Sequence, residues 1–349
     1  MAENKYINEI IEISTNLGLA VRNASTISID ESQSSSRKVV AKFGKHRLFR
    51  YYCPDRKIRT PLLLVYALVN RPNILDLEHE RSLIVKLIEN GIQPYLLEWG
   101  RVSSEDEFTT FADYALKDLA ECVDAVLEND GAKQLSLAGI CQGGVLSLVH
   151  AAARPEKVKN LITLVTPIDF HSPEFHLARL IRQLNVTEIT STLGNISGDV
   201  IKQMFLSLNP IKLSALKALD VLNFADDKKK LETYVRMEQW INDSPDQAAI
   251  AFQEFCELFF QGNGFISKDL YIDDERIDIS TLQIPILNIF ARNDHIVPVE
   301  SCNALEDLVP NSDYHELEVN AGHIGLFITR SALAEVSAEI HIWLQEHDN

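Results

Sequence analysis

The chain has 349 residues, 46% hydrophobic and 24% charged, enough for one large α/β domain with an insertion or for two smaller domains. Its 50 acidic against 33 basic residues leave a net charge of −17, which argues against a nucleic-acid partner and leaves any anionic ligand dependent on a local basic patch. No apolar run approaches the roughly 20 residues needed to span a bilayer, and Met1-Ala2-Glu3-Asn4-Lys5-Tyr6 lacks the features of a signal peptide, so a cytoplasmic protein is expected.

Isoleucines and leucines at helical spacing (Ile7, Ile10, Ile11, Leu17) predict an N-terminal amphipathic helix over Tyr6–Leu19, and the serine-rich stretch Ser25–Ser36 reads as a linker. Val39–Tyr52 alternates around Gly44-Lys45, which predicts an antiparallel hairpin at a sheet edge. Pro61–Ala67 reads as a buried strand, Leu77–Asn90 as a helix closed by Gly91, and Pro94–Trp99 as a further strand. A long amphipathic helix is predicted over Thr109–Asn129, followed by strands at Leu135–Ala138 and Leu161–Val165. This alternation predicts a doubly wound, mostly parallel sheet.

From about Pro167 to Ile279 the strand–helix rhythm stops. Leu231–Trp240 and Gln247–Phe260 read as helices there, and Phe252, Phe255, Phe259 and Phe260 read as packing residues before acyl-pocket lining. The core resumes at Leu282, with strands at Ile284–Ala291 and Tyr314–Val319 and a C-terminal helix. The expected organisation is therefore an N-terminal helix and linker (1–36), a catalytic core (37–166 and 280–349) and a mainly helical cap (167–279).

The chemistry centres on Gly139-Ile140-Cys141-Gln142-Gly143-Gly144, set between a strand and a helix. Strand, Gly-x-nucleophile-x-Gly turn and helix make the nucleophile elbow of the α/β-hydrolase fold, here with cysteine at its tip. Gly139 and Gly143 allow strand and helix to approach, and Gly144 removes one more side chain beside the nucleophile. The helix N-terminus favours thiolate, and the Gln142 N–H is the first expected oxyanion donor. Taken alone, the motif could equally be a structural cysteine in a glycine turn.

Two downstream residues decide between these readings. Asp294 follows one late strand and His323, in Asn320-Ala321-Gly322-His323, follows the next, which is the chain order of nucleophile, acid and histidine. His295 could tune Asp294 but reads better as a loop histidine, and His150 reads as structural. Cys53, Cys122, Cys256 and Cys302 show no CxxC or Cys/His spacing, so no metal is assigned and the five thiols are expected free in a reducing compartment.

These segments resemble one family, the catalytic subunit of the two-component polyhydroxyalkanoate synthases (class III, with class IV close by). The resemblance runs from roughly Tyr51 to Trp343 and rests on Pro61–Pro72, the elbow, Arg154–Leu161, Leu164–Phe170, Arg236–Gln247, Asp294–Pro298 and Gly322–Gly325. Two departures lie in loops: Arg101-Val102-Ser103-Ser104 follows Trp99-Gly100 where a proline is usual, and Ala321 stands where glycine is expected.

The resemblance implies a polyester built from (R)-3-hydroxyacyl-coenzyme A, with Cys141 carrying the acyl group, His323 activating it and Asp294 serving mainly the acyl 3-hydroxyl. It also implies Val69 or Asn70 as a second backbone oxyanion donor, no cofactor, a second synthase subunit, a homodimer, and a place at polymer granules. A cysteine-dependent thioesterase or lactone hydrolase would share the triad but admit water. A non-catalytic granule scaffold would have no use for all three groups.

Overall fold

The computed structural model describes residues 35–208 and 227–348, together with Thr15, Leu19, Arg22 and Asn23. The helix expected over Tyr6–Leu19 and the linker expected over Ser25–Ser36 fall almost wholly outside the described residues.

Eight strands form one sheet: β1 (Arg37–Phe43), β2 (His46–Tyr51), β3 (Leu62–Val65), β4 (Pro94–Glu98), β5 (Leu135–Ile140), β6 (Val158–Leu164), β7 (Ile286–Ala291) and β8 (Tyr314–Val319). Their spatial order is β1-β2-β4-β3-β5-β6-β7-β8. The β1–β2 hairpin and the β2–β4 pair are antiparallel, and every other neighbour is parallel. The hairpin turns at Gly44, whose φ of 53° suits a residue without a Cβ.

The helices are α1 (Leu83–Glu89), α2 (Leu119–Asp130) and α3 (Gln142–Ala153) in the first half of the chain. Between β6 and β7 come α4 (His176–Ile181), α5 (Val186–Leu193), α6 (Gly198–Leu208), α7 (Lys228–Asn242) and α8 (Ala249–Phe255), and α9 (Arg330–Glu346) closes the chain. Every residue of β3 and β5 is buried, as a parallel strand covered on both faces requires. Leu63, Val65 and Leu137 pack with Val123, Val145 and Leu146 on one face. Leu62, Leu64 and Ala138 pack with Leu83, Leu87, Val336 and Ile340 on the other. Each fully buried leucine contributes roughly 1.5–3 kcal/mol, so the two-sided sandwich fixes the strand order.

Three local differences from the predicted elements have physical causes. The helix expected from Leu77 starts at Leu83, because Ser82 caps it by accepting the Val85 N–H at 2.9 Å. Asp76–Glu78 instead pairs antiparallel with Arg81–Ser82. The helices expected over Thr109–Asn129 and Gln247–Phe260 each contain a wider π turn, at Asp113–Asp118 and Cys256–Gln261. A 3.6-residue apolar pattern does not register one extra residue in a turn.

Phe255, Phe259 and Phe260 sit in an aromatic cluster with Phe111, Phe170 and Phe175, the Phe170 and Phe260 centroids being 5.0 Å apart. They are packing residues that join the β6–β7 helices to the sheet domain. Phe252 is only partly buried.

The chain runs outward from β3 to β4 and then returns to β5 on the other side of β3. A crevice opens at such a switch point, beyond the C-terminal ends of the strands. Cys141 follows β5 there, Asp294 follows β7, His323 follows β8, and Leu68–Asn70 follow β3.

Candidate active site

Cys141 has φ 54° and ψ −120°, and α3 begins at the next residue. A non-glycine residue held at positive φ costs on the order of 1–3 kcal/mol, a strain the surroundings must hold in place. They do so through the Cys141 N–H, which donates to the Leu164 carbonyl at 2.8 Å, and through glycines that leave no room for a side chain. A Cβ on Gly143 would run into the Val65 carbonyl oxygen, and one on Gly139 into the Gly144 backbone. At Gly144 a Cβ would meet the Thr166 side chain, so the missing side chain also makes room for the loop after β6. Gly143→Ala is expected to destabilise the fold by about 1–3 kcal/mol, because the obstacle is backbone of a central strand. Chemical denaturation measures this directly.

Asp294 and His323 are brought together by their loops. The Asn293 N–H donates to the Ala321 carbonyl at 2.9 Å, and the Asn293 side chain donates to Asn320 Oδ1 at 2.9 Å. His323 Nδ1 then lies 2.6 Å from Asp294 Oδ2, with both side chains buried. The other carboxylate oxygen, Oδ1, accepts the Ile296 and Val297 N–H groups at 2.8 and 3.0 Å. The Cys141 sulfur lies close enough to His323 to act on its charge. Because Nδ1 is taken by Asp294, Nε2 is the ring nitrogen left to face other groups. Burial pushes the His323 imidazolium down, but the Asp294 carboxylate and then the Cys141 sulfur outweigh it and raise the pKa to about 10.

The segment after β3 is held from three sides. The Leu68 N–H donates to Gln142 Oε1 at 3.1 Å, the Trp99 indole donates to the Tyr66 carbonyl at 2.9 Å, and the Trp240 indole of α7 donates to the Arg71 carbonyl at 2.7 Å. The Leu68 amide is thereby occupied, and Val69 and Asn70, the latter at φ 60°, follow it. Gln142, as the first residue of α3, has an N–H with no partner inside the helix.

Residues 98–328 match the family described as alpha/beta hydrolase fold. The chain is 37% identical over 346 residues to a poly(3-hydroxyalkanoate) polymerase subunit PhaC of Allochromatium vinosum, with 98% of each chain covered. It is equally 37% identical, over 345 residues, to the subunit of that name from Thiocystis violacea, covering 98% of this chain and 97% of the relative. The chain belongs to the poly(3-hydroxyalkanoate) polymerases. It is an enzyme, a polymer-forming acyltransferase built on the α/β-hydrolase fold. Among solved structures, Epoxide Hydrolase A from Mycobacterium thermoresistibile aligns with a TM-score of 0.53 over 89% of this chain and 98% of its own, at 11% identity, which reflects the shared fold.

The remaining candidates in this polymerase separate cleanly. His295 is exposed beside Asp294. His150 is buried, with Nδ1 3.1 Å from the Ala115 carbonyl, and burial lowers its pKa to about 4, so it is a neutral packing residue. Cys53, Cys122, Cys256 and Cys302 are free and buried, and burial raises the pKa of each. Among the described residues no His/Cys/Asp/Glu group is arranged to hold a metal, and no helix is long and apolar enough to cross a membrane.

The sequence points to Gln142 for its backbone alone, to Trp99 as the end of a strand and to Trp240 as part of a matching segment. Their side chains tie the β3 loop in place. Nothing in those readings signals this role, because the bonds join segments far apart in the chain.

Proposed function

We propose that the polymerase joins (R)-3-hydroxyacyl groups, delivered as coenzyme A thioesters, through an acyl group held on Cys141. The observation that carries this reading is the buried, hydrogen-bonded Asp294–His323 pair with the Cys141 sulfur beside it, at the switch point of a chain in this family. In the first step the Cys141 sulfur attacks the thioester carbonyl. Its proton passes to His323 and then to the departing coenzyme A sulfur, so one thioester replaces another. The oxyanion is received by the Gln142 N–H and by Val69 or Asn70. In the second step the acyl 3-hydroxyl gives its proton to His323, its oxygen attacks the next thioester, and coenzyme A again leaves as the thiol.

The geometry refines the role of Asp294. Its carboxylate has one oxygen on His323 and the other on two amides. It therefore serves the hydroxyl through His323, by orienting the imidazole and stabilising its cation. The described helices between β6 and β7 act as a cap: Trp240 is bonded to the β3 loop, and Ala248 and Ala251 line a cavity of about 20 Å³ together with Leu68 and Asn70. Exclusion of water there keeps the thioester for an alcohol acceptor. The relatives are named as subunits, which supports a second subunit for this chain as well, and we place the assembly in the cytoplasm at polymer granules, as a homodimer.

The test supplies (R)-3-hydroxybutyryl-coenzyme A, with and without the partner subunit, and follows free thiol and insoluble polymer together. Both are expected to rise. Thiol release accompanied only by free 3-hydroxybutyrate would replace the polymerase reading with hydrolysis.

A further inference from the structure

A cleft of about 720 Å³ lies between the β1–β2 hairpin, the segments after β3 and β4, and α7. Its walls carry six cationic residues, Arg37, Lys45, Arg47, Arg71, Arg101 and Arg236, against three carboxylates, Asp76, Glu98 and Asp243. This local excess of positive charge stands out in a chain of net charge −17. The carboxylates already have partners, and of the cations Lys45 is paired with Asp106 outside the cleft wall at 2.6 Å. Glu98 pairs with Arg47, Asp243 pairs with Arg101 at 2.7 Å, and Asp76 accepts the Ser82 hydroxyl at 2.6 Å.

Arg71 is the anomalous member. It is only 9% exposed, yet its Nε and Nη2 have no hydrogen-bond partner. Its other contacts are long, 3.5 Å from Nη1 to the Trp99 carbonyl and 3.7 Å from Nε to Asp243. Burial, and then the neighbouring Arg101 charge, lower its pKa. A buried guanidinium with unmet N–H groups is costly unless an acceptor arrives. An oxyanion able to take two parallel N–H bonds fits it best, and phosphate has that geometry.

The cleft shares a wall with the loop that is bonded to the residue after Cys141. Arg71, Pro72, Trp99 and Gly100 bound both the cleft and the small cavity lined by Leu68 and Asn70. Leu68 is in turn bonded to Gln142, the residue after Cys141.

We propose that this cleft holds the phosphate-bearing nucleotide end of the acyl-coenzyme A, with Arg71 at the throat where the pantetheine arm turns inward to Cys141. The assignment rests on the polymerase reading above and adds to it the site that recognises the leaving group. Long-range repulsion of the polyanionic substrate by the acidic chain is offset here by a short-range cationic cleft.

The test compares Arg101→Gln, Arg236→Gln and the double variant with the wild type in the complete enzyme. Two substrates are used, (R)-3-hydroxybutyryl-coenzyme A and the phosphate-free (R)-3-hydroxybutyryl-pantetheine. The ratio of kcat/KM for the two thioesters is expected to fall about tenfold per lost guanidinium, the size of a charge-assisted hydrogen bond. Raised salt should lower the same ratio in the wild type. A merely structural role would lower both substrates together and leave the ratio unchanged, which would overturn the assignment. Calorimetric binding of coenzyme A itself gives an answer that needs no turnover: equal affinity in wild type and double variant refutes the cleft. Arginine-dependent binding without polymer would keep the cleft and refute the polymerase reading. Polymer formation with unchanged ratios would do the reverse.

Discussion

Cys141→Ala is expected to abolish both coenzyme A release and polymer formation, a loss on the order of 10⁶-fold, as for removal of a triad nucleophile on another fold. No other cysteine can take over. Cys53, Cys122, Cys256 and Cys302 are buried, and burial holds each as the unreactive thiol. The fold should survive, because alanine retains the Cβ and the Cys141 N–H bond to Leu164 is backbone. The variant carries a second signature. The Cys141 sulfur helps to raise His323, so its removal should lower the histidine's pKa. An NMR titration of the imidazole would detect that shift. Residual polymer made by Cys141→Ala would mean that the nucleophile is elsewhere.

Asp294→Asn is expected to separate the two chemical steps. Asparagine can still accept the Ile296 and Val297 amides through its oxygen, so the loop is kept. Its NH₂ then faces His323 Nδ1 and forces the tautomer with a proton on Nε2. That imidazole is no longer able to take a proton from sulfur or from a hydroxyl. Elongation should fall by about 10³–10⁴-fold, since an alcohol needs its general base. Acylation should fall less, by about 10–10²-fold, because a thiol is more acidic and more nucleophilic than an alcohol and depends less on a general base. Single-turnover labelling of Cys141 measures the first step and polymer growth the second. Equal losses would make Asp294 an orienting residue with no preference for either step.

The same pair sets a pH dependence of stability. His323 has a folded-state pKa raised from 6.5 to about 10. The folded state therefore holds this proton more tightly than the unfolded chain does. The stabilisation is complete below pH 6.5 and is lost progressively as pH rises toward 10. In Asp294→Asn the decline in unfolding free energy across that window should flatten, which denaturation at several pH values would reveal.

Much of this was legible in the residues. The mostly apolar runs Pro61–Ala67 and Leu135–Ala138 pointed to the central strands, because a strand covered on both faces favours apolar side chains throughout. The spacing of Gly139, Cys141 and Gly143 encoded the elbow, since only small residues fit where helix and strand nearly touch. Asp294 and His323 could be placed by order, because each follows a strand that the alternation reveals. Helix starts were less legible: Ser82 as a cap and the π turns at Asp113–Asp118 and Cys256–Gln261 depend on backbone bonds that a periodic pattern does not encode.

The sequence by itself thus determined the fold class, the place of Cys141 at the turn between β5 and α3, and the family. Those properties reside in local spacing and in the order of segments along the chain. Only the tertiary structure decided that both oxygens of Asp294 are occupied, and that Trp99, Gln142 and Trp240 clamp the loop after β3. It alone gathered Arg37, Arg71, Arg101 and Arg236 into one cleft. Contacts between residues so far apart in the chain leave no periodic trace, because they arise from how the strands and the helices between β6 and β7 are stacked.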